Sequence, residues 1–277
     1  MGVTRILAER DAMDVQRLLE MRPIDNISIA SRIRSAGLGR TQLGNDLIGY
    51  WDDWGRLTSF VSDGYSLHPV NATPEALDAF TTYLEHRHCG SIVGVRDEVI
   101  GLWQRLCRTN FTQWAAPREV RDHQLVMAIG RDPQWWHGPG VEQATTRHLD
   151  SYLEASVAMY TEEIGVAPMS PQGSYRNHVA SLIMRGQSWC WIKGGRVVFK
   201  ADVVATSGPV CQVGGVWLAP ELRGRGLSRP LMAAVVRECR LKYPTVTLYV
   251  NSYNTAAVRC YLAVGFTQVS ECATVLY

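Results

Sequence analysis

Glycine and arginine alternate in the segment Arg223–Gly226, which lies between the apolar run Val216–Leu218 and a predicted helix over about 229–242. A helix start exposes unpaired backbone N–H groups and the positive end of the helix dipole. Glycines allow the backbone to approach a ligand closely, and arginines add positive charge. This pattern favours a site for a phosphate or pyrophosphate, although taken alone it fits a tight, charged turn without a ligand at least as well.

A second pattern lies downstream, where Asn254 and Tyr261 stand in a predicted helix over 254–264. Their spacing is about two helical turns, so both side chains fall on one face of that helix. Gly265 is expected to end the helix in a left-handed conformation. A tyrosine hydroxyl has a reference pKa near 10 and can donate a proton to a leaving group within hydrogen-bond reach. Taken alone, however, Tyr261 is better interpreted as a packed core residue.

The two blocks together resemble the cofactor-binding region of the GNAT acetyltransferase superfamily, whose loop motif is Arg/Gln-x-x-Gly-x-Gly/Ala. Arg223, Gly226 and Ser228 match this motif, with serine as a departure at its last position. The Asn…Cys-Tyr-x-x-x-Gly-Phe block is the second signature, and the joint match covers about 140–277. Further segments resemble a bacterial family of two-domain GNAT proteins whose N-terminal domain has no known function. The segments that carry this resemblance are 119–125, 158–166, 198–202, 211–217 and 273–277.

The resemblance implies where acetyl-CoA binds. In GNAT proteins the coenzyme lies between two strands that splay apart, and its pantetheine pairs with the first of them like an extra strand. Gly214 and Gly215 suit a bulge that opens this splay. The loop that follows would bind the pyrophosphate through backbone N–H groups, and Asn254 would contact the pantetheine arm. The coenzyme-binding residues implied in this way are Val216, Trp217, Leu218, Arg223, Gly224, Arg225, Gly226, Leu227, Ser228, Arg229 and Asn254.

The resemblance also implies the proton transfers. Tyr261 would protonate the leaving thiolate. Many relatives place a glutamate that acts as general base at the position of Tyr249. Because tyrosine does not serve as a base at neutral pH, the base must be another residue or a chain of water molecules, and Glu162 and Glu163 are the candidates. Both lie at the carboxyl end of a predicted helix, where negative charge opposes the dipole; two exposed surface acids are the alternative.

Other polar residues have less specific interpretations. Lys200 and Asp202 share one face of a predicted strand, and we expect a salt bridge rather than a contact with the acceptor. Asp52–Trp54 and Trp135–His137 are candidate pocket elements, with loop packing as the stronger alternative. The seven cysteines are scattered without a Cys-x-x-Cys pair, which fits reduced thiols in the core. We therefore predict no metal site.

Periodicity and turn signals predict an α+β fold with a mixed sheet and two domains, 1–134 and 138–277, on either side of a segment rich in glycine and proline. The two halves repeat one order of elements, which indicates tandem GNAT-like domains. The first half has Asn71–Thr73 where the glycine loop would stand, so we expect it to be degenerate and to bind no coenzyme. We expect it to shape the acceptor pocket or a dimer surface, which makes a homodimer one expected state.

Composition excludes several classes of protein. The chain has 277 residues, of which 46% are hydrophobic and 19% charged, so it is neither disordered nor fibrous. A net charge of only +2 argues against non-specific nucleic-acid binding. No apolar run approaches the roughly 20 residues that span a bilayer, and the charged first residues do not resemble a signal peptide. We expect a soluble, cytoplasmic protein without a membrane partner.

These observations predict an acetyl-CoA-dependent N-acetyltransferase in which a small-molecule or peptide amine attacks the thioester directly. Catalysis would come from positioning, polarisation of the carbonyl by a strand N–H, and acid–base help. No covalent enzyme intermediate is required, so no cysteine is expected to be essential. The alternative is a non-catalytic regulatory or scaffolding protein that binds acetyl-CoA, and the absence of an acid at position 249 favours it.

Overall fold

Strands and helices occur in short runs along the chain in the computed structural model, which describes residues 2–134, 137–170 and 172–277. Within these residues the strands are β1 (Val3–Ile6), β2 (Asp46–Trp51), β3 (Leu57–Asp63), β4 (Ser66–Val70), β5 (Ser91–Val95), β6 (Glu119–Ile129), β7 (Glu142–Gln143), β8 (Ser188–Lys193), β9 (Arg196–Ser207), β10 (Val210–Leu218), β11 (Thr245–Asn251) and β12 (Thr267–Leu276). The helices are α1 (Ala12–Met21), α2 (Ile27–Ala36), α3 (Arg40–Leu43), α4 (Pro74–Leu84), α5 (Arg96–Thr109), α6 (Phe111–Trp114), α7 (Leu149–Ile164), α8 (Ser174–Met184), α9 (Ser228–Arg240) and α10 (Thr255–Val264). The predicted α+β class is confirmed.

The chain forms two compact units, and each draws on more than one stretch of sequence. The first unit comprises Met1–Val126, Tyr249–Tyr253 and Gln268–Tyr277. The second comprises Met127–Leu248 and Asn254–Thr267. Among the described residues, no helix has the length and apolar character needed to cross a lipid bilayer.

The first unit is built on a mixed sheet in the order β1-β2-β3-β4-β5-β12. Strands β4 and β5 are parallel, and their neighbouring pairs are antiparallel. Helix α4 begins after a threonine cap, because the Thr73 hydroxyl accepts a hydrogen bond from the Ala76 N–H at 3.2 Å and proline occupies the first helical position. Helices α4 and α5 bury their apolar faces in a core that includes Phe80, Val99 and Leu102.

The second unit contains a sheet in the order β11-β10-β9-β8-β7. Strands β10 and β11 are parallel, but they pair only from Val210–Thr245 to Gln212–Thr247, whereas β10 continues to Leu218. A splay between two parallel strands therefore begins after Gln212, as the sequence resemblance implies. The splay leaves one edge of the carboxyl half of β10 without a β11 partner.

A bulge interrupts β10 beside this splay. Gly214 pairs with Asp202 of β9 and Trp217 pairs with Lys200, so two β10 residues stand opposite one β9 residue. Gly215 lies in this bulge with a φ of +58°, a left-handed conformation that favours glycine. The bulge predicted at Gly214 and Gly215 is thus confirmed.

Helices of the second unit follow the predicted periodicity closely. Helix α9 buries the apolar positions spaced at helical intervals along it, namely Leu231, Met232, Val235, Val236 and Cys239. Helix α10 ends at Gly265, which has a φ of +114° and donates its N–H to the Tyr261 and Leu262 carbonyls. Helix α7 packs on β9 and β10 and ends next to Gly165. The two chemistry-bearing blocks of the sequence therefore lie at the starts of α9 and α10.

Candidate functional site

The loop between β10 and α9 is shaped by two glycines. Gly224 and Gly226 have φ values of +73° and +74°, which glycine adopts without the steric cost that a Cβ brings. A Cβ placed on either glycine would meet no atom of the described residues within 4 Å. The loop is exposed, so the space in front of these two positions is open to a ligand.

The same loop presents a row of backbone donors. Helix α9 begins at Ser228, and the first N–H groups of a helix have no acceptor within the helix. In the part of the chain that the structure describes, the N–H groups of Gly224 through Ser228 meet no backbone acceptor. Arg225 adds an exposed positive charge next to the positive end of the helix dipole. Exposed backbone N–H donors and a positive electrostatic potential together favour the binding of a diphosphate.

Glu162 fixes this loop to the end of β10. Its Oε2 accepts a hydrogen bond from Arg223 Nη2 at 2.7 Å, and its Oε1 accepts one from Trp217 Nε1 at 3.1 Å. Arg223 also donates from Nε to the Leu218 carbonyl at 2.8 Å. The guanidinium of Arg223 is therefore turned back onto the protein. Both carboxylate oxygens of Glu162 are engaged as well, which favours a positioning role for this residue over the role of base.

The hydroxyl of Tyr261 is buried and lies within the electrostatic influence of Glu163. Tyr261 is only 8% exposed, and its ring packs edge-on against Phe266 with centroids 5.9 Å apart. Burial raises the pKa of the Tyr261 hydroxyl, and the neighbouring Cys260 and the Glu163 carboxylate raise it further. Burial and nearby acidic groups, Glu163 among them, also raise the pKa of Tyr175 to about 12. Tyr261 is thus held in its protonated form with an exposed carboxylate nearby.

Asn254 caps the helix that carries Tyr261. Its Oδ1 accepts a hydrogen bond from the Ala257 N–H at 3.2 Å, and the residue is exposed. The side-chain oxygen is therefore occupied, and the amide nitrogen is the group that can meet a pantetheine. Tyr249, where many relatives carry a glutamate, is half-exposed on β11.

Lys200 and Asp202 form the predicted salt bridge, with Nζ 2.6 Å from Oδ2, and both side chains are buried. The sequence did not indicate their other partners. Lys200 Nζ also donates to the Gly215 carbonyl at 2.8 Å. Asp202 Oδ1 accepts hydrogen bonds from the Tyr152 hydroxyl at 2.7 Å and from Ser188 Oγ at 2.6 Å. These partners lie on three other elements, β10, α7 and β8, so no local sequence pattern connects them.

The corresponding segment of the first unit, between β4 and α4, is closed by the protein's own groups. The Ala72 N–H donates to Glu98 Oε2 at 3.0 Å, and the Asn71 amide donates to the Leu18 carbonyl at 2.7 Å. Pro74 has no N–H to offer. The buried Glu98 carboxylate thus accepts the hydrogen bond of a backbone N–H group in this segment. In the loop between β10 and α9, the backbone N–H groups around the two glycines face solvent instead. This arrangement supports the expectation that the first unit has no phosphate cradle.

Glu98 should give the protein a measurable pH dependence. Burial raises its pKa to about 7, although the Ala72 N–H and Arg22, 3.0 Å away, both favour the ionised form. In the unfolded chain a glutamate ionises near pH 4.3, so between these values the folded protein binds more protons. Stability therefore falls as pH rises from about 4.3 to about 7, by up to about 4 kcal/mol.

The check is denaturant unfolding of the wild type and Glu98→Gln at pH 5 and pH 8. We expect the wild type to lose more stability than the variant on going from pH 5 to pH 8, because glutamine cannot ionise yet can still accept the Ala72 N–H. Parallel pH profiles for the two proteins would show that Glu98 ionises normally in the folded state.

Three groups of metal-ligand type meet in the second unit. Ligand atoms of Glu142, His148 and Cys190 lie within 4.8 Å of one another. However, Arg147 Nε lies 2.9 Å from His148 Nε2, and the Thr145 N–H donates to His148 Nδ1 at 3.2 Å. Burial raises the pKa of the Cys190 thiol to about 12, so it is not a thiolate at neutral pH. The Arg147 guanidinium already places a positive charge next to these groups. This charge and the protonated thiol disfavour a metal cation at this position.

The first of the two candidate pocket segments, Asp52–Trp54, gives little support for a pocket. Asp52 forms a turn, because its Oδ1 accepts the N–H groups of Trp54 and Arg56 at 3.0 and 2.9 Å. The Trp54 side chain is exposed next to Arg56. Trp135 and Trp136 lie outside the described residues.

Two family models and one curated relative match parts of this chain. Residues 150–266 match the acetyltransferase (GNAT) family, and residues 45–152 match a domain of unknown function, DUF4081. A mycothiol acetyltransferase from Thermobispora bispora is 42% identical over 69 residues, which span 24% of this chain and 23% of that enzyme. The matched segment thus covers less than a quarter of the curated relative.

Solved GNAT structures share the fold along the whole chain. An acetyltransferase of the GNAT family from Colwellia psychrerythraea superimposes with a TM-score of 0.61 at 14% identity, covering 99% of both chains. A tandem GNAT protein from the clavulanic acid biosynthesis pathway superimposes with a TM-score of 0.53 at 12% identity, covering 100% of this chain and 98% of that one. The carboxyl-terminal part of the chain, residues 150–266, therefore matches the acetyltransferase (GNAT) family, and the amino-terminal part, residues 45–152, matches DUF4081.

Proposed function

We propose that this protein transfers an acetyl group from acetyl-CoA to an amine acceptor by direct attack. The proposal depends on the loop Arg223–Leu227 and on the start of α9 that follows it. Two glycines in the left-handed conformation shape this loop, and its backbone N–H donors face open space. The residues present fit the coenzyme, because a diphosphate matches those donors and the splay after Gln212 leaves a strand edge for the pantetheine. When bound, acetyl-CoA supplies an acetyl group activated as a thioester.

The chain's own groups would bind and orient this co-substrate. Backbone N–H groups from Gly224 to Arg229 hold the pyrophosphate. The backbone of Val216–Leu218 pairs with the pantetheine, and a strand N–H from this stretch polarises the thioester carbonyl. Glu162 acts as a positioning residue. Its hydrogen bonds to Trp217 and Arg223 hold the end of β10 and the loop in a fixed relative position.

Acid–base help would come from α7 and α10. An amine with a pKa near 10 must lose a proton before it attacks. Glu163 accepts that proton, directly or through water, because its exposed carboxylate acts electrostatically on the Tyr261 hydroxyl. Tyr261 donates its hydroxyl proton to the leaving sulfur, and its raised pKa keeps that proton available at neutral pH.

The acceptor belongs to the class of small-molecule or peptide amines. The partial similarity to a mycothiol acetyltransferase supports acetyl transfer. In the second unit a cavity of about 230 Å³ lies along α7 and is lined in part by Glu154, Glu162, Glu221 and Arg196. Carboxylates outnumber the single guanidinium in this lining, which favours a positively charged molecule, as an amine is before it loses its proton.

The two adjacent glutamates offer a matched pair of variants. We expect Glu163→Gln to lower kcat about tenfold or more with little change in KM for acetyl-CoA, because it removes a base and no binding group. Glu162→Gln should raise that KM several-fold with a smaller effect on kcat, because the amide cannot form the ion pair with Arg223. Steady-state kinetics on both variants measure this split, and the reverse pattern would assign the base to Glu162.

The proposed function is tested by thiol release from acetyl-CoA with a panel of amines and peptides. We expect saturable release that depends on one class of amine. The second candidate function, coenzyme binding without turnover, is favoured by Tyr249 at the position where relatives carry a glutamate. Calorimetric binding of acetyl-CoA without reaction of any acceptor would support that alternative, and no binding at all would exclude both.

A further inference from the structure

The β10 bulge is held by a side chain that the proposed chemistry does not use. Lys200 Nζ donates a hydrogen bond to the Gly215 carbonyl at 2.8 Å. In a planar trans peptide the carbonyl and the following N–H point in opposite directions. The position of Lys200 therefore fixes the direction of the Val216 N–H, which points away from the ammonium group. Val216 is one of the residues expected to face the thioester.

Lys200 is itself held rigidly. It is only 1% exposed, and its ammonium lies 2.6 Å from Asp202 Oδ2. Asp202 is fixed in turn by the hydroxyls of Tyr152 and Ser188 at 2.7 and 2.6 Å. A buried ion pair contributes little net stability compared with a well-packed apolar pair. A network of this kind is therefore better explained by the geometry it imposes than by the stability it adds.

The network lies directly against the bulge backbone. A Cβ placed on Gly215 would stand 2.8 Å from Asp202 Oδ2 and 2.9 Å from Lys200 Nζ. Because those distances are too short for a carbon atom, only glycine leaves room for the ion pair at this point. The bulge and the ion pair thus fit each other, and neither can move without the other.

We propose that Lys200 is a positioning residue that aims and polarises the Gly215–Val216 peptide, so that the Val216 N–H donates to the thioester carbonyl of acetyl-CoA. This inference rests on the proposed function. A cation on the carbonyl oxygen of a peptide withdraws electron density and makes the N–H of the same peptide a stronger donor. Such a donor stabilises the negative charge that develops on the thioester oxygen during attack. Asp202 keeps Lys200 in place.

The test uses variants of the full chain. Lys200→Met alone would leave Asp202 buried and unpaired, which destabilises a protein, so the main variant is the double change K200M/D202N. Asparagine keeps an oxygen for Tyr152 and Ser188. Lys200→Gln is a second variant, because its amide can still donate to the Gly215 carbonyl. Lys193→Met, on an exposed strand end, is the matched control.

The readouts are the infrared stretch of the thioester carbonyl in bound acetyl-CoA labelled with ¹³C, the dissociation constant for acetyl-CoA, and kcat for thiol release. In the wild type and K193M we expect the carbonyl stretch to shift to lower frequency on binding. In K200M/D202N that shift should largely disappear and kcat should fall about tenfold or more. The dissociation constant should change less than about threefold, since the pyrophosphate contacts remain. K200Q should lie between the wild type and the double variant.

An unchanged carbonyl shift and kcat in folded K200M/D202N would overturn the role of Lys200, as would a wild type that binds acetyl-CoA without any shift. If the double variant fails to fold, the K200Q variant tests the role of Lys200. A shift of the carbonyl stretch equal to that of the wild type, together with an unchanged kcat, would then contradict the proposal. A wild type that does not bind acetyl-CoA would instead refute the proposed function. The two failures are therefore distinguishable.

Discussion

Replacing Gly226 with alanine is expected to weaken acetyl-CoA binding about 10- to 100-fold, which corresponds to the loss of one or two charge-assisted hydrogen bonds. Gly226 has a φ of +74°, and its Cβ position faces open space in front of the loop. A methyl group there would occupy the place where the diphosphate approaches the backbone. Strain in the left-handed conformation adds a cost of about 1–2 kcal/mol to the folded protein.

Gly195 provides the control for that strain. It lies in the turn between β8 and β9 with a φ of +77°, and a Cβ there would also meet no atom of the described residues within 4 Å. Gly195→Ala should therefore lower the melting temperature about as much as Gly226→Ala and leave acetyl-CoA binding intact. Calorimetric titration of both variants separates strain from lost contacts. Equal affinities in the two variants would show that the coenzyme does not touch Gly226.

Replacing Tyr261 with phenylalanine is expected to lower kcat about 10²- to 10⁴-fold, the usual contribution of a positioned acid. Phenylalanine keeps the ring that packs against Phe266, so stability and the dissociation constant for acetyl-CoA should stay near those of the wild type. Because burial raises the pKa of the Tyr261 hydroxyl above its usual value near 10, this group should not cause a loss of wild-type activity below about pH 10.

The measurement is a pH profile of kcat for the wild type, Tyr261→Phe and Tyr65→Phe. Tyr65 is an exposed tyrosine of the first unit and serves as the control. A wild-type rate for Tyr261→Phe would remove the assigned acid. A fall in kcat accompanied by a lower melting temperature and weaker binding would assign Tyr261 to packing instead.

Several helix ends and buried helix faces could be predicted because they depend on residues that are close together in the sequence. The apolar positions of α9, the threonine cap and proline at the start of α4, and Gly265 at the end of α10 each depend on residues a few positions apart. The bulge was predictable from paired glycines, and the Lys200–Asp202 salt bridge from the period of two in a strand.

Other features could not be predicted from local sequence. Strands β1 and β2, at the start of the chain, carry no clear local strand pattern. The first four residues of β2 are all buried, so the alternation that marks a strand with one solvated face is missing. Glu98 stands in the first turn of α5, where an exposed acid is usual, and its burial depends on packing in the folded unit. The partners of Glu162 come from 55 and 61 positions away.

The central claim is that the start of α9 binds the diphosphate of acetyl-CoA, and amide NMR of protein labelled with ¹⁵N-glycine tests it most directly. The chain has 24 glycines, and the variants at Gly224 and Gly226 assign the two signals that matter. Titration with acetyl-CoA should shift both of these signals strongly, whereas S-acetyl-pantetheine, which lacks the diphosphate, should leave them in place. Saturating acetyl-CoA that leaves the Gly224 and Gly226 signals unmoved would contradict the account.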